Sequence, residues 1–266
     1  ISSLQRIKFT QKILNSLYKN LTYFDKINLE NIEKFKKNKK NIIEIKNKII
    51  IKNFEFSYNS KNNLFSNTNL EIKIGDTIGI FGDSGSGKSS FINLLIGLLK
   101  PKSGQILING IDINSNINAW RESIGYVPQN IFLIDDTLKR NISFDLEIDT
   151  GDVKKINECL KQSELINFVN NLQNGLDTIV GERGSRISGG QLQRVGIARA
   201  LYNDPKILIF DESTSALDKE TELEIIKNIY KFKSKKTLII ITHKKELLKE
   251  CDKIYKLENG KFLQNE

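Results

Sequence analysis

The feature that most limits what this chain can fold into is the run Gly82-Asp83-Ser84-Gly85-Ser86-Gly87-Lys88-Ser89, which fits the pattern G-x-x-x-x-G-K-[ST]. It follows Thr77–Phe81, a short apolar strand, and leads into Lys88–Leu99, which has helical character. Glycines let the backbone curl so that successive N–H groups point at one anion, and the helix N-terminus adds the positive end of its dipole. The rest of the chain supplies the layers such a turn needs. Ile49–Tyr58, Leu70–Ile74, Gln105–Ile111 and Ile124–Val127 read as strands. Val153–Asn170, Gly190–Tyr202 and Ala216–Lys231 read as helices, while Ile207–Phe210 and Thr237–Ile241 are unbroken apolar runs of the kind buried in parallel sheets. Alternating strands and helices imply an α/β core, and the lack of an internal repeat implies one phosphate-cradling unit.

Within that core Asp211 and Glu212 follow the apolar run Ile207–Phe210. Ligands bind at the carboxyl ends of strands in open α/β sheets. Asp211 is therefore placed to hold Mg²⁺ through its water shell, and Glu212 to orient or polarise an attacking water. Alone, a strand ending in Asp-Glu fits a helix start favoured by acidic charge equally well. Beside a phosphate-binding turn the chemical reading wins. Lys88 is then expected at the β- and γ-phosphates and the Ser89 hydroxyl at the metal.

Composition bounds the rest. The 266 residues are 39% hydrophobic and 27% charged with 3 Pro, enough for one sizeable core or two small ones. Cys159 and Cys251 lie far apart without metal-ligand spacing and read as reduced thiols. No stretch approaches the ~18–20 apolar residues that span a bilayer, and no signal-peptide pattern is present. The sequence starts at Ile1 and contains no Met, which leads us to expect a piece of a longer polypeptide. Net charge is +9, and residues 1–48 carry twelve Lys/Arg against four Asp/Glu, so the excess belongs to the N-terminal segment. Residues 3–24 have apolar positions at helical spacing and 31–41 have linker composition, giving an expected boundary between 1–41 and 42–266. A nucleic-acid arm, a flank just inside a membrane span and a plain solvated linker all fit that basic segment.

The segment Ile187-Ser188-Gly189-Gly190-Gln191 narrows the reading. It resembles the LSGGQ signature of ABC ATPases, with Ile for Leu, and runs into Gln193-Arg194 and Ala198-Arg199-Ala200-Leu201, also typical of that family. The resemblance covers about residues 42–266. It implies a P-loop NTPase core with an antiparallel β subdomain and a helical subdomain carrying the signature. It implies ATP and Mg²⁺ as ligands, with Gly82–Ser89 and Ser90 around the phosphates, Tyr58 stacking on adenine, and Ser89, Gln129 and Asp211 toward the metal. Glu212, His243, Lys88 and Gln129 take catalytic positions, His243 contacting the γ-phosphate and supporting Glu212. Ser188, Gly189, Gly190 and Gln191 would cradle the γ-phosphate of nucleotide held by a second ABC ATPase domain. Asp218, in Ser215-Ala216-Leu217-Asp218, belongs to a loop that communicates across such a dimer.

Asp177-Thr178-Ile179-Val180-Gly181-Glu182-Arg183-Gly184 is similar to a segment of ABC exporter motor domains that contacts the transmembrane coupling helices. The stretch Tyr126–Phe144 looks exporter-like as well. The resemblance thus implies a motor fused to a transmembrane domain, touching it through Gln129 and Gly181–Gly184, at the cytoplasmic face of the inner (plasma) membrane, with no nucleic-acid partner. Gly184-Ser185-Arg186-Ile187 looks like motors of lipid-linked saccharide flippases and of protein or peptide exporters. An importer subunit and a soluble ABC ATPase are the alternatives. The first would lack the Gly181–Gly184 segment, and the second would show twin cassettes or a coiled-coil insertion.

Overall fold

The computed structural model describes residues 45–59, 63–144, 153–181, 187–215 and 217–265. The expected helix over 3–24, the linker, the boundary near 42 and the Glu182–Arg186 part of the exporter-like segment lie outside these residues.

Two sheets build the described chain. The first joins β1 (Lys48–Phe56), β2 (Phe65–Lys73), β4 (Ser103–Ile108) and β5 (Ile111–Asp112) in the order β2-β1-β4-β5, all antiparallel. From Thr68 onward its inward residues alternate along β2, with Thr68, Leu70 and Ile72 buried, as expected of a sheet with one wet face. The second sheet has the order β10-β9-β3-β8-β7-β6. Here β3 (Thr77–Phe81), β6 (Ile124–Val127), β7 (Ile207–Asp211), β8 (Thr237–Thr242) and β9 (Lys253–Glu258) run parallel, and β10 (Lys261–Asn265) closes the edge antiparallel to β9.

Strands β7 and β8 are buried on both faces, which explains their continuous apolar sequence. The period of two divides their side chains between two cores. Ile207, Ile209, Ile239 and Ile241 join Ile78 and Ile80 in one core with the antiparallel sheet and α1 (Lys88–Leu95). Leu208, Phe210, Leu238 and Ile240 face the other core, shared with α3 (Leu138–Ser143), α4 (Val153–Gln162), α6 (Gly189–Leu201) and α7 (Lys219–Tyr230). The short helices α2 (Ile117–Glu122) and α5 (Ile166–Asn170) are the other α-helices among the described residues. Trp120 of α2 is fully buried in the first core, and its indole N–H donates to Leu95 O at 2.7 Å.

Several boundaries differ from the sequence reading for local reasons. Helix α1 stops at Leu95 rather than Leu99 because Gly97 takes a left-handed φ of 73°. The expected helix over 153–170 is two, broken where Glu164 adopts φ 57°. Helix α7 starts at Lys219, since Asp218 caps it by accepting from Thr221 N at 3.0 Å. The strand expected over 105–111 is a hairpin of β4 and β5 turning at Asn109 and Gly110, both with positive φ.

Candidate functional site

Sheet register gathers the predicted residues. β3, β8, β7 and β6 are consecutive neighbours, paired so that Phe81 lies beside Thr242, Asp211 beside Ile241 and Val127 beside Phe210. Their carboxyl ends are therefore level. The next residues of the four strands are the Gly82–Ser89 turn, His243, Glu212 and the Pro128-Gln129 pair. Segments from four distant stretches of sequence thus meet along one sheet edge, where ligands of α/β folds sit.

The turn is shaped by backbone constraints. Gly85 and Gly87 have φ of 81° and 102°, a region costly for other residues, and Gly87 opens α1. A Cβ on Gly82 would lie 2.6 Å from Leu257 O, so glycine is required there by close approach of β9. Lys88 is only 6% exposed, and its ammonium donates to Gly82 O and Asp83 O, each at 2.9 Å. It also lies 3.3 Å from Glu212 Oε1. The ammonium is thus held at the mouth of the turn, over the N-terminus of α1, while Ser84, Gly85 and Ser89 face solvent. Backbone donors, a helix N-terminus and a fixed cation form an anion site.

The acidic pair has two environments. Asp211 is buried, and burial pushes its carboxyl above the usual range, an effect the hydrogen bond from Tyr126 opposes. Tyr126 Oη donates to Asp211 Oδ2 at 3.0 Å, and burial together with that carboxylate drives the phenol well above its ordinary value. Glu212 turns away from the strand with φ 45°, its N–H still donating to Ile241 O at 2.8 Å. This positive φ re-aims the side chain toward Lys88. Asp211, the Ser89 hydroxyl and the Gln129 amide oxygen would offer a hard oxygen set with a single carboxylate. Such a set suits Mg²⁺ that keeps water and phosphate ligands. Among the described residues no group of three or more His, Cys, Asp or Glu could hold a metal by itself.

Other predicted residues sit around this centre. Tyr58 is 64% exposed, its ring edge-on to Phe56 at 4.9 Å and its hydroxyl 3.0 Å from Ser90 Oγ, which presents an open aromatic face beside the turn. Gln129 Nε2 donates to Ser215 Oγ at 3.3 Å, linking the ends of β6 and β7. His243 is exposed, and among the described residues no hydrogen bond joins it to Glu212. Ser188 caps α6 in a capping box: its Oγ accepts from Gln191 N at 3.3 Å, and Gln191 Oε1 accepts from Ser188 N at 2.9 Å. Gly189 faces Leu217, and a Cβ on Gly190 would lie 2.7 Å from Thr221 Cγ2, so this turn packs on the start of α7. Among the described residues no hydrogen bond or ion pair joins it to the Gly82–Ser89 turn. The Gly82–Ser89 turn and the Ser188–Gln191 turn thus open two different helices, α1 and α6. Sequence reasoning missed Tyr126, Thr214, Glu222 and Lys244, whose contacts depend on strand and helix neighbours that no local pattern announces.

Comparison with known proteins follows the same lines. The model of the ABC transporter family matches residues 65–215. The leukotoxin translocation ATP-binding protein LktB of Mannheimia haemolytica is 42% identical over 224 residues, which is 83% of this chain and 31% of that protein. The protein of the same name from Bibersteinia trehalosi gives the same figures, and that of Mannheimia glucosida is 41% identical over 223 residues. The chain thus spans about a third of the length of the curated relatives it matches. Among solved structures, a bacterial Atm1-family ABC exporter with ATP bound superposes with a TM-score of 0.74 at 35% identity, covering 82% of this chain and 38% of that one.

Proposed function

The chain belongs to the ABC transporter family and carries its ATP-binding domain, and from that premise we propose that it hydrolyses ATP as one half of a nucleotide-clamping dimer that drives export across a membrane. One observation supports the reading: Lys88, Glu212, Asp211, Gln129 and His243 emerge on level ends of adjacent strands around the Gly82–Ser89 turn, while Ser188–Gln191 opens a different helix, α6.

In this reading Gly82, Asp83, Ser84, Gly85, Ser86, Gly87, Ser89 and Ser90 surround the phosphates, and Tyr58 stacks on the adenine. Lys88 leaves the loop carbonyls for β- and γ-phosphate oxygens, which frees Glu212 to direct water at the γ-phosphate. Ser89, Asp211 and Gln129 would hold Mg²⁺, whose chemistry there would be to offset the negative charge of the phosphates. His243 contacts the γ-phosphate. Ser188, Gly189, Gly190 and Gln191 complete the site of a second copy, and Asp218 lies in the loop facing that copy.

A membrane domain is the partner that the exposed apolar surface supports. Phe132, Ile134, Phe144 and Ile179 are exposed, and all gather around α3. Arg199 donates to Phe132 O and stacks over Phe144 at 4.5 Å, Asn141 binds Ile134, and Ile179 bridges Thr137. Large apolar side chains exposed on segments tied to one another in this way are what an interaction site offers. In sequence, Phe132 and Ile134 follow Gln129 and Ile179 precedes Gly181–Gly184, the segments the exporter resemblance assigns to coupling, and this favours a cytoplasmic-side motor under a transmembrane domain. The similarity to toxin-translocating relatives favours a protein or peptide substrate over a lipid-linked saccharide. Steady-state ATPase of Glu212→Gln tests the core of the proposal. A loss of more than about 100-fold in turnover is expected, and retained turnover overturns the catalytic assignment.

A further inference from the structure

Glu222 is a carboxylate only 4% exposed, in the first turn of α7, a place where solvated acids usually serve the helix dipole. Its partners come from two other segments. Lys244 donates to both of its oxygens, at 2.9 Å to Oε1 and 2.7 Å to Oε2. Thr214 Oγ1 donates to Oε1 at 3.1 Å. Lys244 follows His243 directly, and its N–H donates to Thr242 Oγ1 at 3.0 Å, so the turn that carries His243 is fixed on both sides. Thr214 lies two residues beyond Glu212 and next to Ser215, which receives Gln129. A single buried carboxylate therefore ties together the loops after β7 and β8.

A plain stabilising ion pair is the simpler account, but Glu222 is buried against a lysine that stays partly exposed, and burying a charge is rarely the cheapest way to stabilise a fold. Fixing relative position is the use that justifies the cost here. His243 itself has no hydrogen bond to Glu212, and it is exposed at the end of β8. Its placement then depends on what anchors Lys244.

We propose that the Lys244–Glu222–Thr214 cluster is a positioning unit for turnover, holding His243 and the Glu212–Ser215 turn in register with each other. The proposal rests on the ATPase reading above. It makes Lys244, Glu222 and Thr214 positioning residues that touch neither nucleotide nor metal. Their loss should misplace reacting groups without removing any phosphate contact. Errors of about 1 Å in such groups cost on the order of 10²-fold.

The test measures kcat, KM and equilibrium ATP affinity in the complete transporter for Lys244→Met, Thr214→Val and Lys244→Arg, with Glu212→Gln alongside and melting temperatures for all. Lys244→Met is expected to lower kcat roughly 10- to 100-fold with ATP affinity within about twofold of wild type. Thr214→Val, which keeps the ion pair, is expected to lower kcat severalfold, and Lys244→Arg to restore most of the loss. If Lys244→Met fails to fold, Thr214→Val decides. Unchanged kcat in the folded variants, or a fall in ATP affinity that matches the fall in kcat, overturns the positioning role. Retained turnover in Glu212→Gln would instead overturn the ATPase assignment on which the proposal stands.

Discussion

At Lys88 three short contacts replace the water an ammonium would otherwise hold: two loop carbonyls and the Glu212 carboxylate. The side chain is thus pre-placed at the turn, and phosphate oxygens can exchange for the carbonyls at little reorganisation cost. Lys88→Ala is expected to weaken ATP binding by at least about tenfold, since charge-assisted contacts to phosphate are strong, and titration with a fluorescent ATP analogue checks this. The two thiols are held unreactive by burial. Burial pushes both Cys159 and Cys251 up to about 11, so the reactive thiolate at pH 8 is about a hundredfold scarcer than in an ordinary thiol. Neither is expected to react with iodoacetamide at pH 8 in the native state, whereas both react in denaturant, as mass spectrometry can follow. At this scale the motif residues were legible because local backbone chemistry dictates them, as at Gly85 and Gly87. The Tyr126–Asp211 hydrogen bond was not, because it exists only through the pairing of β6 with β7.

Elements hold the site through a few polar anchors. Asn141 of α3 is fully buried, and its amide accepts from Ile134 N and donates toward Ile134 O, Asp136 O and Thr137 O. It orders the segment that follows Gln129. Asn141→Ala leaves several buried backbone groups unpaired and is expected to cost on the order of 3 kcal/mol, read from denaturant unfolding. Ser188→Ala removes a helix cap and is expected to cost about 1 kcal/mol by the same measurement. Strands buried on both faces, such as Ile207–Asp211, announce themselves in sequence. β9 and β10 do not, since Lys253-Ile254-Tyr255-Lys256 alternates weakly and its place beside β3 is a tertiary choice. Helix ends were also misjudged where a left-handed residue stops the chain, as at Gly97 and Glu164.

Across the molecule, two cores share the central sheet, one backed by the antiparallel strands and one by the helices. The phosphate turn rises from the first side, and the Ser188 turn belongs to the second. That division backs the two turns with different cores, which suits the proposed dimer. The account therefore requires that each complete site draw its Gly82–Ser89 turn from one copy and its Ser188–Gln191 turn from another. Complementation measures this most directly. Lys88→Ala and Ser188→Arg proteins should each be inactive alone. Co-assembled, they form mixed dimers with one intact site, and ATPase should return to about a quarter of the wild-type level at most. A mixture that stays as inactive as its components would contradict a site shared between two chains.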